Sequence, residues 1–188
     1  MGQYYIVIFL AEKDTVEKEY IRLYIESHHY NSGNKLMEHS YVENTMMNSI
    51  ETLLCPEGIF YKSRVVWAGD YADSEEGEED NLYSMTEYVD NANKYLKVLP
   101  TLTENYYRYI VNHTKKQYVD KEKCKKSDDG TVVHPLALLT NESNGRGGGD
   151  YRGTNEVLCG TWARDTISVE SSIPDCFTEL VCDFEEYY

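Results

Sequence analysis

The feature that most constrains this chain is the division of its apolar residues into short, strand-length pieces. Residues 3–11 contain the run Tyr4-Tyr5-Ile6-Val7-Ile8-Phe9-Leu10. Residues 20–26 place Ile21, Leu23 and Ile25 on one face and Arg22, Tyr24 and Glu26 on the other. The polar connection between them predicts a hairpin. Arg64-Val65-Val66-Trp67-Ala68 reads as a further strand, Tyr106–Val111 and Gln117–Asp120 as a second hairpin, and Val157–Trp162, Thr166–Val169 and Phe177–Phe184 as closing strands. The clearest helix spans about 41–54. Ser40 and Glu43 have capping-box spacing, Val42, Met46, Ile50 and Leu53 recur at helical intervals, and Pro56 and Gly58 end the run. A weaker helix is expected over about 82–97. Strands outnumber helices and no regular βαβ alternation is present, so the expectation is an α+β fold with a largely antiparallel sheet, built as one compact domain over 1–188.

Length and charge narrow the function classes. A chain of 188 residues with 41% hydrophobic content and 18 tyrosines has enough apolar material for its own core. The formal net charge of −15 argues against binding bare nucleic acid, which calls for clustered Lys and Arg. A small ligand, a basic protein partner or a divalent cation suits that field better, although no particular cofactor is indicated. No apolar run approaches the roughly 20 residues of a membrane span. The N-terminal segment lacks the basic flank and cleavage site of a signal peptide and reads as a strand. The five cysteines, Cys55, Cys124, Cys159, Cys176 and Cys182, show no CxxC spacing, so a reducing, cytoplasmic setting is expected.

Four groups of residues have the chemistry of a site. Residues 70–80 carry seven acids. Most of that run reads as a solvated loop, whereas Asp70 and Asp73 follow an apolar strand beside Trp67 and Gly69, where a carboxylate would be partly buried. The segment Asn144-Gly145-Arg146-Gly147-Gly148-Gly149-Asp150-Tyr151-Arg152-Gly153 can present backbone amides and guanidinium groups to an anion, and it can equally be a flexible connection. His39 precedes the expected cap and His134 precedes Pro135 at an expected strand end. Each fits a general base or metal ligand, or a satisfied structural histidine. Arg164 and Asp165 can bind and orient a carboxylate or form an internal ion pair. His28, His29 and His113 fall in expected turns, and the lysines of 115–126 read as a basic strand edge.

The segments Met1-Gly-Gln-Tyr-Tyr5, Lys35-Leu-Met-Glu-His-Ser-Tyr41, Arg64-Val-Val-Trp-Ala-Gly-Asp-Tyr-Ala-Asp73, His134-Pro-Leu-Ala-Leu-Leu-Thr140, Asn144-Gly-Arg-Gly-Gly-Gly-Asp-Tyr151 and Gly160-Thr-Trp-Ala-Arg-Asp165 resemble a family of small proteins of bacteria, their phages and large DNA viruses of amoebae. That resemblance extends over nearly the whole chain. It implies a single domain in the host cytoplasm or a virion, and it assigns no activity or site residue.

Two functions follow from these residues. In the first, Asp70, Asp73 and Asp150 supply acid–base or metal-ligating groups, His39 or His134 moves a proton, and Asn144, Arg146, Tyr151, Arg152, Arg164 and Asp165 hold a small polar or anionic ligand, as in a metal-assisted hydrolase or transferase. In the second, the chain is a non-catalytic interaction or virion-associated protein whose tyrosines serve a homo-oligomer or a protein partner.

Overall fold

The computed structural model describes residues 3–12, 21–89, 107–144 and 149–187. Its sheet strands are β1 (Tyr5–Leu10), β2 (Ile21–Ile25), β3 (Ser63–Gly69), β4 (Tyr109–Asn112), β5 (Gln117–Asp120), β6 (Asn141–Glu142), β7 (Thr166–Glu170) and β8 (Thr178–Glu179). Three short helices, α1 (Thr45–Leu54), α2 (Leu82–Met85) and α3 (Pro135–Thr140), complete the described elements together with 3-10 turns. The strand order is β2-β1-β3-β7-β4-β5-β8, with β6 beside β3. Most pairs are antiparallel, while β3/β6 and β5/β8 are parallel. This is an α+β fold with a mixed, largely antiparallel sheet. Among the described residues no helix is long and apolar enough to cross a membrane.

β1 and β3 form the centre, and every residue of both is buried. Alternation along β1 sends Tyr5, Val7 and Phe9 into the larger core, and Ile6, Ile8 and Leu10 into a smaller core on the opposite face. α1 and α3 fill the first face, where Met46, Ile50, Leu136 and Leu139 are fully buried. Leu82 of α2 covers the second. The outer edge of β3 is shared: Ser63 and Arg64 pair with β7, while Trp67 and Ala68 pair with β6.

The first hairpin forms as its alternation predicts, with one change. Phe9 pairs with Leu23 but Leu10 pairs with Ile21, so Arg22 is an extra residue at a β-bulge. The slip puts Ile21 in the smaller core, away from Leu23 and Ile25, and leaves Arg22 exposed.

Several expected elements are corrected. The helix expected over 41–54 begins at Thr45, capped by Asn44, whose side chain accepts the Met46 amide. Ser40 instead donates its hydroxyl to the Leu36 carbonyl, and Glu43 takes a left-handed φ of 72° that no helix admits. Val157–Trp162 is a 3-10 turn followed by further turns, not a strand. Within Phe177–Phe184 only Thr178–Glu179 pairs as a strand. The apolar stretch before Asn141 is helical, and His134 caps it. Of the helix expected over 82–97, residues 82–85 are α-helical and 86–88 form a 3-10 turn, while 90–97 lie outside the described residues. Four lysines expected to form a basic edge are bound in ion pairs: Lys115 to Asp165, Lys121 to Glu51, Lys123 to Glu179 and Lys125 to Glu185.

Candidate functional site

The residues singled out in the sequence divide among three places. At the end of the sheet where β1 starts and β3 finishes, Asp70 and Tyr4 clamp each other. The Asp70 amide donates to the Tyr4 carbonyl, and the Tyr4 amide donates to the Asp70 carboxylate at 3.1 Å. Asp150 accepts the Met37 amide at 3.0 Å and lies near enough to act on both Tyr5 and His39. His39 is completely buried. Its Nε2 accepts the Trp67 indole N–H at 3.2 Å, and an indole nitrogen can only donate, so the ring proton sits on Nδ1 and is given to the Gly33 carbonyl at 3.0 Å. Burial pushes the pKa of His39 down, against the pull of that carbonyl, so the ring stays neutral.

Around the Tyr5 phenol the polar groups are incompletely matched. Its hydroxyl donates to Gln3 Oε1 at 3.0 Å. The Asn141 amide approaches it without reaching hydrogen-bond geometry, and both Asn141 side-chain polar atoms and Gln3 Nε2 are buried with no partner among the described residues. Of the other expected residues, Asp73 and Asn144 are exposed. Arg152 is exposed and donates to the carbonyls of Gly149 and Tyr151. Tyr151 is buried, its hydroxyl placed between the carbonyls of Thr154 and Glu185. Arg146 lies outside the described residues.

His134 belongs to a second, separate cluster. Its Nδ1 accepts the Leu136 amide and its Nε2–H donates to Glu51 at 2.9 Å, while Lys121 donates to the same carboxylate oxygen. Lys121, His134 and Glu51 are only 4%, 1% and 9% exposed. Burial holds His134 neutral despite Glu51. Burial also opposes the Glu51 charge, but the His134 hydrogen bond and the Lys121 ammonium outweigh it and hold the carboxyl ionised. The arrangement stabilises the contact between α1 and the segment after β5. Removing one partner of such a pair typically costs about 3–5 kcal/mol, because the other charge is then buried alone.

The third place is a cleft of about 630 Å³ at the opposite end of the sheet, where β1 finishes and β3 starts. Arg164 and Asp165 border it, as do Arg22, Lys62 and Arg64, which the sequence reading passed over because they sit singly on strands and turns. The Arg164 guanidinium is held twice, by Glu142 at 2.5 and 2.7 Å and by Glu75 at 2.5 and 2.8 Å, so one residue of the acidic run serves to fix it. Asp165 accepts from Lys115 at 2.6 Å and from Asn112 at 2.8 Å. Arg64 donates to the carbonyls of Arg164 and Ala11, both at 3.0 Å. Arg22 and Lys62 differ from these. Each lies over an aromatic ring, Phe60 and Tyr61 respectively, 4.9 Å from the centroid, and neither meets a carboxylate among the described residues. Lys62 and Arg164 both hold left-handed backbone, with φ of 55° and 64°. For non-glycine residues that conformation costs about 1 kcal/mol or more, and it concentrates at functional sites.

Three histidines, His39 and His134 buried and His113 half-buried, set the response to pH. His39, His113 and His134 all have pKa values pushed down by burial, in His113 with help from the Lys62 charge. Unfolded histidine takes up a proton near pH ~6.5, whereas these folded ones do so only at lower pH. Below about pH 6.5 the unfolded chain therefore binds more protons, and stability that is complete above that pH is progressively lost. Glu51 and Asp120, held low in the folded chain, extend the loss further into acid. Melting temperature followed from pH 8 to 5 should fall below about 6.5, and a flat profile would contradict the assignment of these rings as neutral. Comparison of the chain with protein-family models, with curated proteins and with solved structures finds no match.

Proposed function

We propose that this protein binds a small anionic ligand in the cleft at the end of the sheet where β1 finishes and β3 starts. The observation that carries the reading is the placement of Arg22 and Lys62 there. In a chain of net charge −15, two cations without carboxylate partners among the described residues border one cleft. The bulge in β2 makes Arg22 the extra residue, and the left-handed turn at Lys62 presents the second charge. Ser63 and Thr166 line the same space. A volume of about 630 Å³ suits a small molecule carrying phosphate or carboxylate groups. Arg22 would grip such a group through its planar fork, and Lys62 would act as a point charge. The reading is binding without acid–base catalysis, because both ring nitrogens of His39 and of His134 are committed to hydrogen bonds inside the protein.

Pyrophosphate and nucleotides are suitable probes in a thermal-shift titration. A ligand at 100 times its Kd adds about 2.7 kcal/mol, which is roughly 5–11 °C for a chain of this size. Arg22→Ala and Lys62→Ala should each weaken binding by about tenfold or more, the range of a charge-assisted hydrogen bond. An unshifted melting curve, or a shift that both variants keep, would contradict the proposal.

A second reading, as a protein-interaction module, draws on Val157, Val181 and Tyr187. All three are more than 60% exposed, and they lie on two C-terminal segments joined by bonds such as Thr154 N–H to the Glu185 carbonyl. Apolar surface of that kind fits a partner better than water. If it serves self-association, light scattering of the free chain should give a dimer or larger species that Val157→Asp and Val181→Asp convert to monomer. A wild-type monomer at all concentrations would remove the homo-oligomer.

A further inference from the structure

We propose that Glu26, His28 and His29 form a binding site for a divalent transition-metal ion of the zinc, nickel and copper class. The three residues follow β2 directly, with both histidines on the 3-10 turn Ser27–Tyr30, at the other end of that strand from Arg22 and the anion cleft. One carboxylate oxygen of Glu26 lies 3.3 Å from His29 Nε2 and 3.9 Å from His28 Nε2. All three ligand atoms fall within 4.8 Å of one another. Zinc bound at 2.0–2.2 Å places neighbouring ligand atoms ~3.3 Å apart, so small rotations of exposed side chains close the set around an ion. Two imidazoles and a carboxylate are the donor types that this class of ion prefers.

The backbone beneath the ligands is fixed. Ser27 is completely buried and donates its hydroxyl to the Asn34 side chain at 2.7 Å. Asn31 takes the left-handed conformation, with φ of 54°, and returns its amide to the carbonyls of Ser27 and His28. Tyr30 packs against the larger core on the inner side of the turn. The turn therefore holds both histidines outward, with their rings 4.0 Å apart. The surrounding charge favours a cation, since the carboxylates of Glu26, Asp70 and Glu87 all act on the neighbouring Tyr83 phenol. Three protein ligands on an open turn leave room for water to complete the shell. The chemistry is that of a surface-held ion, distinct from a closed tetrahedral structural site.

Zinc titration by calorimetry on tag-free protein in a non-chelating buffer tests the site, with cobalt as a spectroscopic substitute. One ion per chain should bind, and His28→Ala or His29→Ala should each weaken it by at least the about tenfold that even outer-shell partners contribute. The cobalt spectrum should show nitrogen and oxygen ligation without thiolate charge transfer. Both histidines are exposed, so the variants should keep the wild-type melting temperature in EDTA. Absence of zinc binding by the wild type would overturn the proposal. So would undiminished affinity in the double variant, or a thiolate band placing the metal on the cysteines.

Discussion

The rest of the structure depends on two adjacent strands, β1 and β3, being buried on both faces. A run such as Tyr5-Ile-Val-Ile-Phe-Leu10 has no polar side to offer water, so each face must be covered by other chain. On one side α1, α3 and His39, which is hydrogen-bonded to Trp67 of β3, provide that cover, and on the other α2, Tyr24 and Ala163 do. Burying a strand this way also commits its backbone. The free edge of β3 is satisfied in two parts, by β7 at its start and by the two-residue β6 at its end. That division brings the segment after α3 and the Arg164 turn against the same strand, and so fixes one wall of the cleft bordered by Arg164.

Charge is organised around this frame. The chain carries far more acid than base, yet the cations beside the sheet are individually matched: Arg108 with Asp120 and Glu122, Lys115 with Asp165, Lys121 with Glu51, and Arg164 with Glu75 and Glu142. These pairs tie distant segments together. Glu51 and Lys121 are buried, so their pairing matters far more than a solvent-exposed bridge, whose net contribution is about 0–1 kcal/mol. Against that background, Arg22 and Lys62 stand out: each lies over an aromatic ring and meets no carboxylate among the described residues.

Strands β1 to β5 were legible because their information is local. Alternation in β2, the apolar runs of β1 and β3, and the β4/β5 hairpin all follow from side-chain period and turn chemistry. The bulge at Arg22 was not legible, since it arises from how β2 pairs with β1. Ser40 and Asn44 are both good caps in isolation. The tertiary fold chose Asn44 by giving the Ser40 hydroxyl to the Leu36 carbonyl. Pro135–Thr140 is apolar on every side, and periodicity cannot separate such a buried helix from a strand. The site divided for a related reason. Asp70, Asp150 and His39 do share one end of the sheet, but Glu51 meets His134 and Lys121 across separations of 83 and 70 residues that no sequence spacing reveals. Glu26, His28 and His29 were visible as neighbours in sequence. What the sequence lacked was the 3-10 turn that points both rings outward.

Native-state hydrogen exchange measures the two-face burial of β1 and β3 most directly. The amides of Ile6, Ile8, Val66 and Ala68, which face each other across β1 and β3, should exchange only through opening close to global unfolding, several kcal/mol above the amides of the short edge strand β8. Exchange of the β1 and β3 amides as fast as that of Leu180, whose amide bonds to the Tyr118 carbonyl at the sheet edge, would contradict the account.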